Sequence, residues 1–284
     1  MDFKKAKLGI LGGGAMGESI IRGILKARVF SPQQLTVSDI SAEKLKGLKA
    51  TYKIKTCSDN KKLVSDSSII IIAVKPQVLP AVIKECTAAS DKTRLFISIA
   101  AGVRTDTLCE LLSGRGRIIR AMPNTAARVL ESATALCSGP GATDEDLNAA
   151  QKIFNALGKT VLVDEKLMDA VTGLSGSGPA YVFLFLEALI DAGVKVGLTR
   201  AVASELASQT IYGAAMLVKE TQESATPLKE QVTSPGGTTI SGLHVLEKGG
   251  FKGLVMDAVE AATQRSKELG KQKKAIGNRR EARE

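Results

Sequence analysis

The chain holds a single histidine, His244, among its 284 residues. That excludes histidine-rich metal sites, and any histidine-based catalysis would have to use this one residue. His244 falls in a helical pattern near a turn, where packing is the plainer reading. Cysteine is nearly as sparse. Cys57, Cys86, Cys109 and Cys137 are scattered with no CxxC pair; without a secretory signal they are expected as reduced, partly buried thiols. No metal is expected. The longest apolar runs, residues 68–74 and 180–190, fall short of a membrane span. The N-terminus, MDFKKAKLGILGGG, has too short an apolar part for a signal peptide and runs into a glycine-rich turn. These gaps predict a soluble, cytoplasmic protein with no membrane partner.

What is present is an ordinary globular composition, 44% hydrophobic and 24% charged, enough for one large or two ordinary domains. The net charge of +10 is unevenly spread. Eight basic and three acidic side chains crowd residues 265–284. That end reads as a solvated or frayed tail; no aromatic residues are interleaved with its charges, so nucleic acid is not the expected partner.

An apolar strand at residues 7–11, ending at Leu11, meets Gly12-Gly13-Gly14-Ala15-Met16-Gly17, and a helical pattern follows through Ile20, Ile21, Ile24 and Leu25. Gly12, Gly14 and Gly17 fit G-x-G-x-x-G in the strand–turn–helix context that a dinucleotide fingerprint requires. The first glycine would make the tight turn, the second admit a pyrophosphate and the third allow close helix–strand packing. The next strand, 35–38, ends in Ser38 and Asp39. Asp39 stands where an acid binds a ribose 2′-hydroxyl, or it caps the helix that follows.

Further apolar runs at 69–74, 95–99 and 117–122 read as buried parallel strands alternating with helices, a doubly wound α/β sheet. Ligands on such sheets lie beyond the carboxyl ends of the strands. The strand-end residues Ala73, Val74, Lys75 and Pro76, then Ala100, Ala101 and Gly102, then Asn124, are therefore expected to ring a cofactor. Residues 133–137 and 160–163 read as the last strands. After Asp164 strand character fades and long apolar helices take over, at 179–196, 200–218, 238–246 and 251–269. Helices apolar on more than one face need cover, and a partner subunit is the natural one. The expected segments are 1–163 for the dinucleotide, 164–270 for substrate and dimerisation, and a basic tail at 271–284.

Two glycine-rich stretches lie in that helical half. The first, residues 173–181, lacks a P-loop ending and follows no strand, so its small residues are expected to serve close packing. The second, Ser234-Pro235-Gly236-Gly237-Thr238-Thr239, runs into a helical pattern. A helix opening of this kind offers unpaired N–H groups to a small anion such as a carboxylate, or is simply capped by Thr238 or Thr239.

These residues together resemble the pyrroline-5-carboxylate reductase family, whose members make L-proline. The likeness spans about residues 8–269. DAVTGLSGSGPAY at 169–181 and LKEQVTSPGGTTISGLHVLEKGGF at 228–251 are its most specific parts, beside AVKP at 73–76, AAG at 100–102 and MPNT at 122–125. The resemblance implies an N-terminal Rossmann domain, an all-helical domain that interlocks into a dimer, and further assembly, commonly to a decamer. It also implies NADPH or NADH as cofactor. By likeness the substrate carboxylate sits on Ser234, Gly237, Thr238 and Thr239, with the Thr239 hydroxyl at the ring nitrogen. Glu165 lies near the substrate, Asn60 near the adenosine end, and Gln231 where the family commonly has a cofactor-touching asparagine. Two further departures stand out. Ala126 replaces the proline that usually follows MPNT, which predicts a small loop change. Asp39 stands where Ser is common, and a carboxylate there disfavours a 2′-phosphate and leans the site toward NADH, unless Ser38 and Ser41 take the phosphate. A β-hydroxyacid dehydrogenase would need a lysine early in the long helix, and residues 178–191 contain none. A non-enzymatic nucleotide binder would show a damaged substrate loop, and this one reads intact.

Overall fold

The computed structural model describes residues 2–281, with side chains as far as Gly270. Among the described residues eight strands form one sheet: β1 (Leu8–Leu11), β2 (Leu35–Ser38), β3 (Lys55–Cys57), β4 (Ile69–Ile72), β5 (Leu95–Ser98), β6 (Arg117–Met122), β7 (Ser132–Ser138) and β8 (Gly158–Leu162). Their order is β3-β2-β1-β4-β5-β6-β7-β8. The order reverses beside β1, so the crevice for a ligand opens between β1 and β4.

The four-isoleucine run of β4 shows why unbroken apolar strands belong here. Ile69 and Ile71 face one core with Leu8, Ile10 and Val37; Ile70 and Ile72 face the other with Leu11, Phe96 and Ile118. Side chains alternate across a strand, so a sheet covered on both faces needs apolar residues at every position. Helices α1 (Ala15–Lys26), α2 (Ala42–Tyr52), α3 (Asn60–Ser65), α4 (Leu79–Cys86), α5 (Thr105–Leu111) and α6 (Asp144–Asn155) connect the strands. Each fully buried isoleucine contributes roughly 1.5–3 kcal/mol, so these two faces dominate the unit's stability.

Two features depart from a uniform parallel reading. β3, only three residues and half exposed, was not expected from the sequence. β7 runs antiparallel to β6, and β8 returns parallel to β7. The chain between β6 and β7 holds nine residues, too few for the helical crossover that a parallel return requires.

By its contacts the chain divides into two compact units, one of Met1–Ser177 with Ala261–Glu284 and one of Gly178–Glu260. In the first, α7 (Met168–Val171) passes into a wide π-helical turn at Thr172–Gly176. A Cβ on Gly176 would stand 2.9 Å from the Met122 methyl, so the small residue serves close packing. The second unit is helical: α8 (Gly178–Lys195), α9 (Arg200–Thr221), α10 (Ala225–Gln231), α11 (Thr238–Lys248) and the first turns of α12 (Phe251–Glu281). α8 and α9 meet closely at Gly193, where a Cβ would lie 2.8 Å from that of Ala203. Beyond that seam Phe183, Leu184, Leu206, Tyr212, Leu254 and Met256 remain exposed.

The helical run Glu165–Lys195, 31 residues long, is by length and composition apolar enough to cross a membrane, which corrects the expectation that no segment is. The basic stretch from residue 271, read from sequence as a frayed tail, continues the helical backbone of α12 to Glu281; residues 282–284 lie outside the described residues.

Candidate active site

The turn after β1 is shaped by its glycines. Gly12 has φ 107°, a left-handed conformation, and a Cβ on it would press within 2.6 Å of the Ala73 carbonyl oxygen at the end of β4. A Cβ on Gly17 would overlap the Gly12 carbonyl, so the absent side chain lets α1 lie on β1. Gly14 differs: nothing stands within 4 Å of where its Cβ would be. It is the N-cap of α1 and no side chain caps it, so the N–H groups of the first helical turn have no side-chain cap. Open approach, unpaired amides and the positive end of a helix dipole fit a dinucleotide pyrophosphate.

At the end of β2, the Asp39 carboxylate accepts from Gly13 N at 2.9 Å and from Ser41 N at 2.9 Å. The cap of α2 is Ser41, whose hydroxyl accepts from Lys44 N. Asp39 thus braces the glycine turn. Ser38 Oγ donates to Asn60 Oδ1 at 2.6 Å, and Asn60 Nδ2 donates to Glu85 Oε2 at 2.8 Å. The corner therefore gathers two carboxylates, Asp39 and Glu85.

Across the crevice lie the ends of β4, β5 and β6. Ala73, Val74 and Pro76 are half-buried and Lys75 exposed; Ala100 and Gly102 are buried with Ala101 exposed between them. Asn124 accepts from Ala126 N at 3.2 Å and donates to the Ser175 carbonyl of the π-turn at 3.0 Å. The Ala126 N–H is one that proline would lack, so the departure from MPNTP adds a bond to the loop.

Glu165, in the turn after β8, reaches back to α5. Its carboxylate accepts from Thr105 N at 2.7 Å and Thr105 Oγ1 at 2.6 Å, and pairs with Arg120 of β6 at 3.4 Å. Thr105 and Arg120 went unmarked in the sequence reading. For Arg120 a signal existed, a charged residue inside the strand, flanked by Ile119 and Ala121, whereas Arg117 sits only at the strand's start.

In the helical unit, the turn at Ser234 closes with Gly237 N donating to the Ser234 carbonyl at 3.1 Å, and Gly236 has φ 63°. The N-cap of α11 is Gly237, with no side-chain cap. Thr238 and Thr239 are the first two helical residues, so neither hydroxyl performs the capping that a purely structural reading assigned them. Gln231, at the end of α10, donates to Glu223 at 3.1 Å. His244 lines an open groove of about 600 Å³ with Lys229, Ile240, Ser241, Leu243 and Glu247. Of the residues marked from sequence, the glycine turn, Ser38, Asp39, Asn60, Ala73–Pro76, Ala100–Gly102, Asn124 and Glu165 belong to the sheet unit. Gln231, Ser234 and Gly237–Thr239 belong to the helical one.

The buried thiols take no visible part. Burial pushes Cys86 up to about 12; burial, then the nearby Glu165 carboxylate, pushes Cys137 up to about 11. Among the described residues no cluster of three or more His, Cys, Asp or Glu could hold a metal ion.

Comparison with known proteins assigns the two parts separately. Residues 7–102 match a family model described as NADP oxidoreductase, coenzyme F420-dependent. Residues 165–269 match one described as pyrroline-5-carboxylate reductase dimerisation, which covers the exposed apolar helices. The chain is 46% identical to a pyrroline-5-carboxylate reductase of Methanosarcina acetivorans over 95% of its own length and 100% of that protein's. It is 45% identical to one of Arabidopsis thaliana over 93% and 95%. In structure it is similar to the Plasmodium falciparum pyrroline carboxylate reductase with NADP bound, with TM-score 0.83 and 37% identity over 94% of this chain and 98% of that one. A Coxiella burnetii pyrroline-5-carboxylate reductase superposes with TM-score 0.89 at 37% identity, over 93% and 98%.

Proposed function

The chain belongs to the pyrroline-5-carboxylate reductase family, and we infer that it catalyses the NAD(P)H-dependent reduction of 1-pyrroline-5-carboxylate to L-proline, the last step of proline biosynthesis. The observation that carries this is the 46% identity to a reductase along that protein's whole length. The fold is a Rossmann sheet followed by a helical dimerisation region. The protein is an oxidoreductase.

The cofactor supplies the hydride. The chain's own task is to bind and orient. A cyclic imine, once protonated, is already electrophilic, so the site needs no strong acid or base. In this reading the N–H groups opening α11 and the Ser234 hydroxyl hold the substrate carboxylate, with Gly237 and Thr238 shaping that seat. Thr239 orients or protonates the ring nitrogen and is the one catalytic side chain. Glu165 lies near the substrate by the family likeness.

Leu11–Gly17, Ala73–Pro76, Ala100–Gly102 and Asn124 seat the dinucleotide, with Ser38, Asp39 and Asn60 at its adenosine half. Gln231 is the weakest member of this set, since its amide is already given to Glu223. NADH is favoured over NADPH, because Asp39 and Glu85 both bring negative charge to the corner a 2′-phosphate would enter.

The functional segments are 1–163 for the dinucleotide, 164–270 for substrate and dimerisation, and 271–284 as a basic tail, although by contacts residues 164–177 group with the sheet unit. The exposed apolar helices are covered by a second copy, and the dimers assemble further, as a decamer in the form the family commonly takes. A cytoplasmic location agrees with four unpaired cysteines.

The test is loss of reduced-nicotinamide absorbance with pyrroline-5-carboxylate, run in parallel with NADH and NADPH. Turnover with either establishes the reductase, and the ratio of rates gives the preference. A folded protein that binds dinucleotide yet turns over neither would sink the assignment.

A further inference from the structure

The Ala100–Gly102 turn lies at the carboxyl end of β5, on the side of the crevice opposite the adenosine corner. In a doubly wound sheet that side receives the nicotinamide half of the dinucleotide. Three residues past this turn comes Thr105, only 4% exposed. Both oxygens of the Glu165 carboxylate close on it, Oε1 on its N–H and Oε2 on its hydroxyl, 60 residues away in sequence. A Cβ on Gly139 would stand 2.6 Å from the Thr105 Cβ, so the backbone after β7 abuts the same residue.

The turn is also bounded by α12. A Cβ on Gly270 would lie 3.6 Å from the Gly102 carbonyl oxygen. One turn earlier, the buried Ser266 donates to Asp169 at 2.6 Å, and Asp169 lies one turn beyond Glu165. Glu165 thus grips the segment 100–105 at Thr105, and α12 passes beside its other end.

This grip is poorly explained by stability alone. Two cations pair with Glu165, the half-exposed Arg104 at 4.0 Å and Arg120 at 3.4 Å; Arg120 is 3% exposed, and its Nη2 has no hydrogen-bond partner among the described residues. A buried, partly satisfied ion pair is often no more stabilising than apolar side chains of the same volume. What it does secure is geometry.

Resting on the reductase reading, we propose that Glu165 acts through Thr105 as a positioning residue for the Ala100–Gly102 turn, fixing where the nicotinamide half of the dinucleotide is held. Glu165 is then not a substrate ligand: its effect on the reaction runs through Thr105 and the cofactor.

Steady-state kinetics with dinucleotide and substrate varied separately test this on the full chain. Thr105→Val keeps the shape and removes the hydroxyl, Thr105→Ser restores it, and Glu165→Gln removes the charge. Thr105→Val and Glu165→Gln are expected to lower kcat about tenfold and raise the KM for NADH several-fold, with substrate KM unchanged within about twofold. Thr105→Ser should stay within about twofold of the parent chain. If Glu165→Gln instead raises substrate KM while Thr105→Val is kinetically silent, the proposal is overturned and Glu165 is a direct ligand. Loss of Tm in both with unchanged kinetics would leave only a structural role and overturn it equally. The enhanced fluorescence of bound NADH gives a second readout that needs no turnover. Should the parent chain fail to reduce pyrroline-5-carboxylate, the reductase reading fails. An NADH Kd equal in parent, Thr105→Val and Glu165→Gln would then separately refute the positioning role.

Discussion

The backbone N–H of Gly13 donates to Oδ2 of Asp39 across 2.9 Å, tying the glycine turn to the end of β2. The carboxylate is thereby fixed at the edge of the crevice, with Oδ1 held by Ser41 N. Ser38, the neighbouring hydroxyl that could instead meet a 2′-phosphate, already donates to Asn60. Asp39→Ser should therefore raise kcat/KM for NADPH relative to NADH by about tenfold or more, since it removes one repulsive charge. Rates with the two cofactors, measured side by side, check this; an unchanged ratio would mean that Asp39 serves the turn alone.

Gly14 and Gly17 separate binding from folding. Gly14→Ala adds a methyl to open space, so Tm should move by no more than about 2 °C while NADH affinity drops about tenfold. Gly17→Ala drives a methyl into the Gly12 carbonyl and should cost about 1–3 kcal/mol, read as a fall of several degrees in Tm. Thermal unfolding and NADH titration on both variants distinguish the two glycines.

Thr239 is the second residue of α11 and is not used as its cap. Thr239→Ala should lose about tenfold to a hundredfold in kcat, whereas Thr239→Ser keeps most of it. Equal losses in both variants would show that the hydroxyl is not the working group.

The buried thiols predict an alkaline limit to stability. Cys86 and Cys137 hold their protons in the native state up to about 12 and about 11, against about 8.5 for an unfolded thiol. Above about pH 9 the unfolded chain binds fewer protons than the native one, so unfolding is favoured as pH rises. Their contribution is intact below that pH and is progressively lost between about 9 and 11–12. Urea unfolding at stepped pH should show this decline, flattened in Cys86→Ala relative to the parent chain. At pH 8, thiol reagents should modify the half-buried Cys57 and Cys109 first.

Much of the sheet unit was legible because its signals are local. Four consecutive isoleucines, β-branched and followed by a Lys-Pro turn, favour a short strand covered on both faces, and a glycine turn between such a strand and an amphipathic helix has few other uses. β3 escaped because Lys55, Thr56 and Cys57 carry little apolar signal on a half-exposed edge. The reversal at β7 was implied by a connection too short to cross over, though no single residue announces it.

The sequence by itself determined the strand and helix types, the nucleotide turn and the likeness of the 234–239 loop, since these depend on backbone sterics and on periods of two and 3.6 residues. Only the tertiary structure decided which partners the charged groups would take. Asp39 turned to Gly13, Glu165 to Thr105 and Arg120, and Ser266 to Asp169, 97 residues apart. Such pairings are set by which strand ends and helix termini the sheet order brings together. A buried charge, costly to leave unpaired, then takes the donors that assembly has placed within reach.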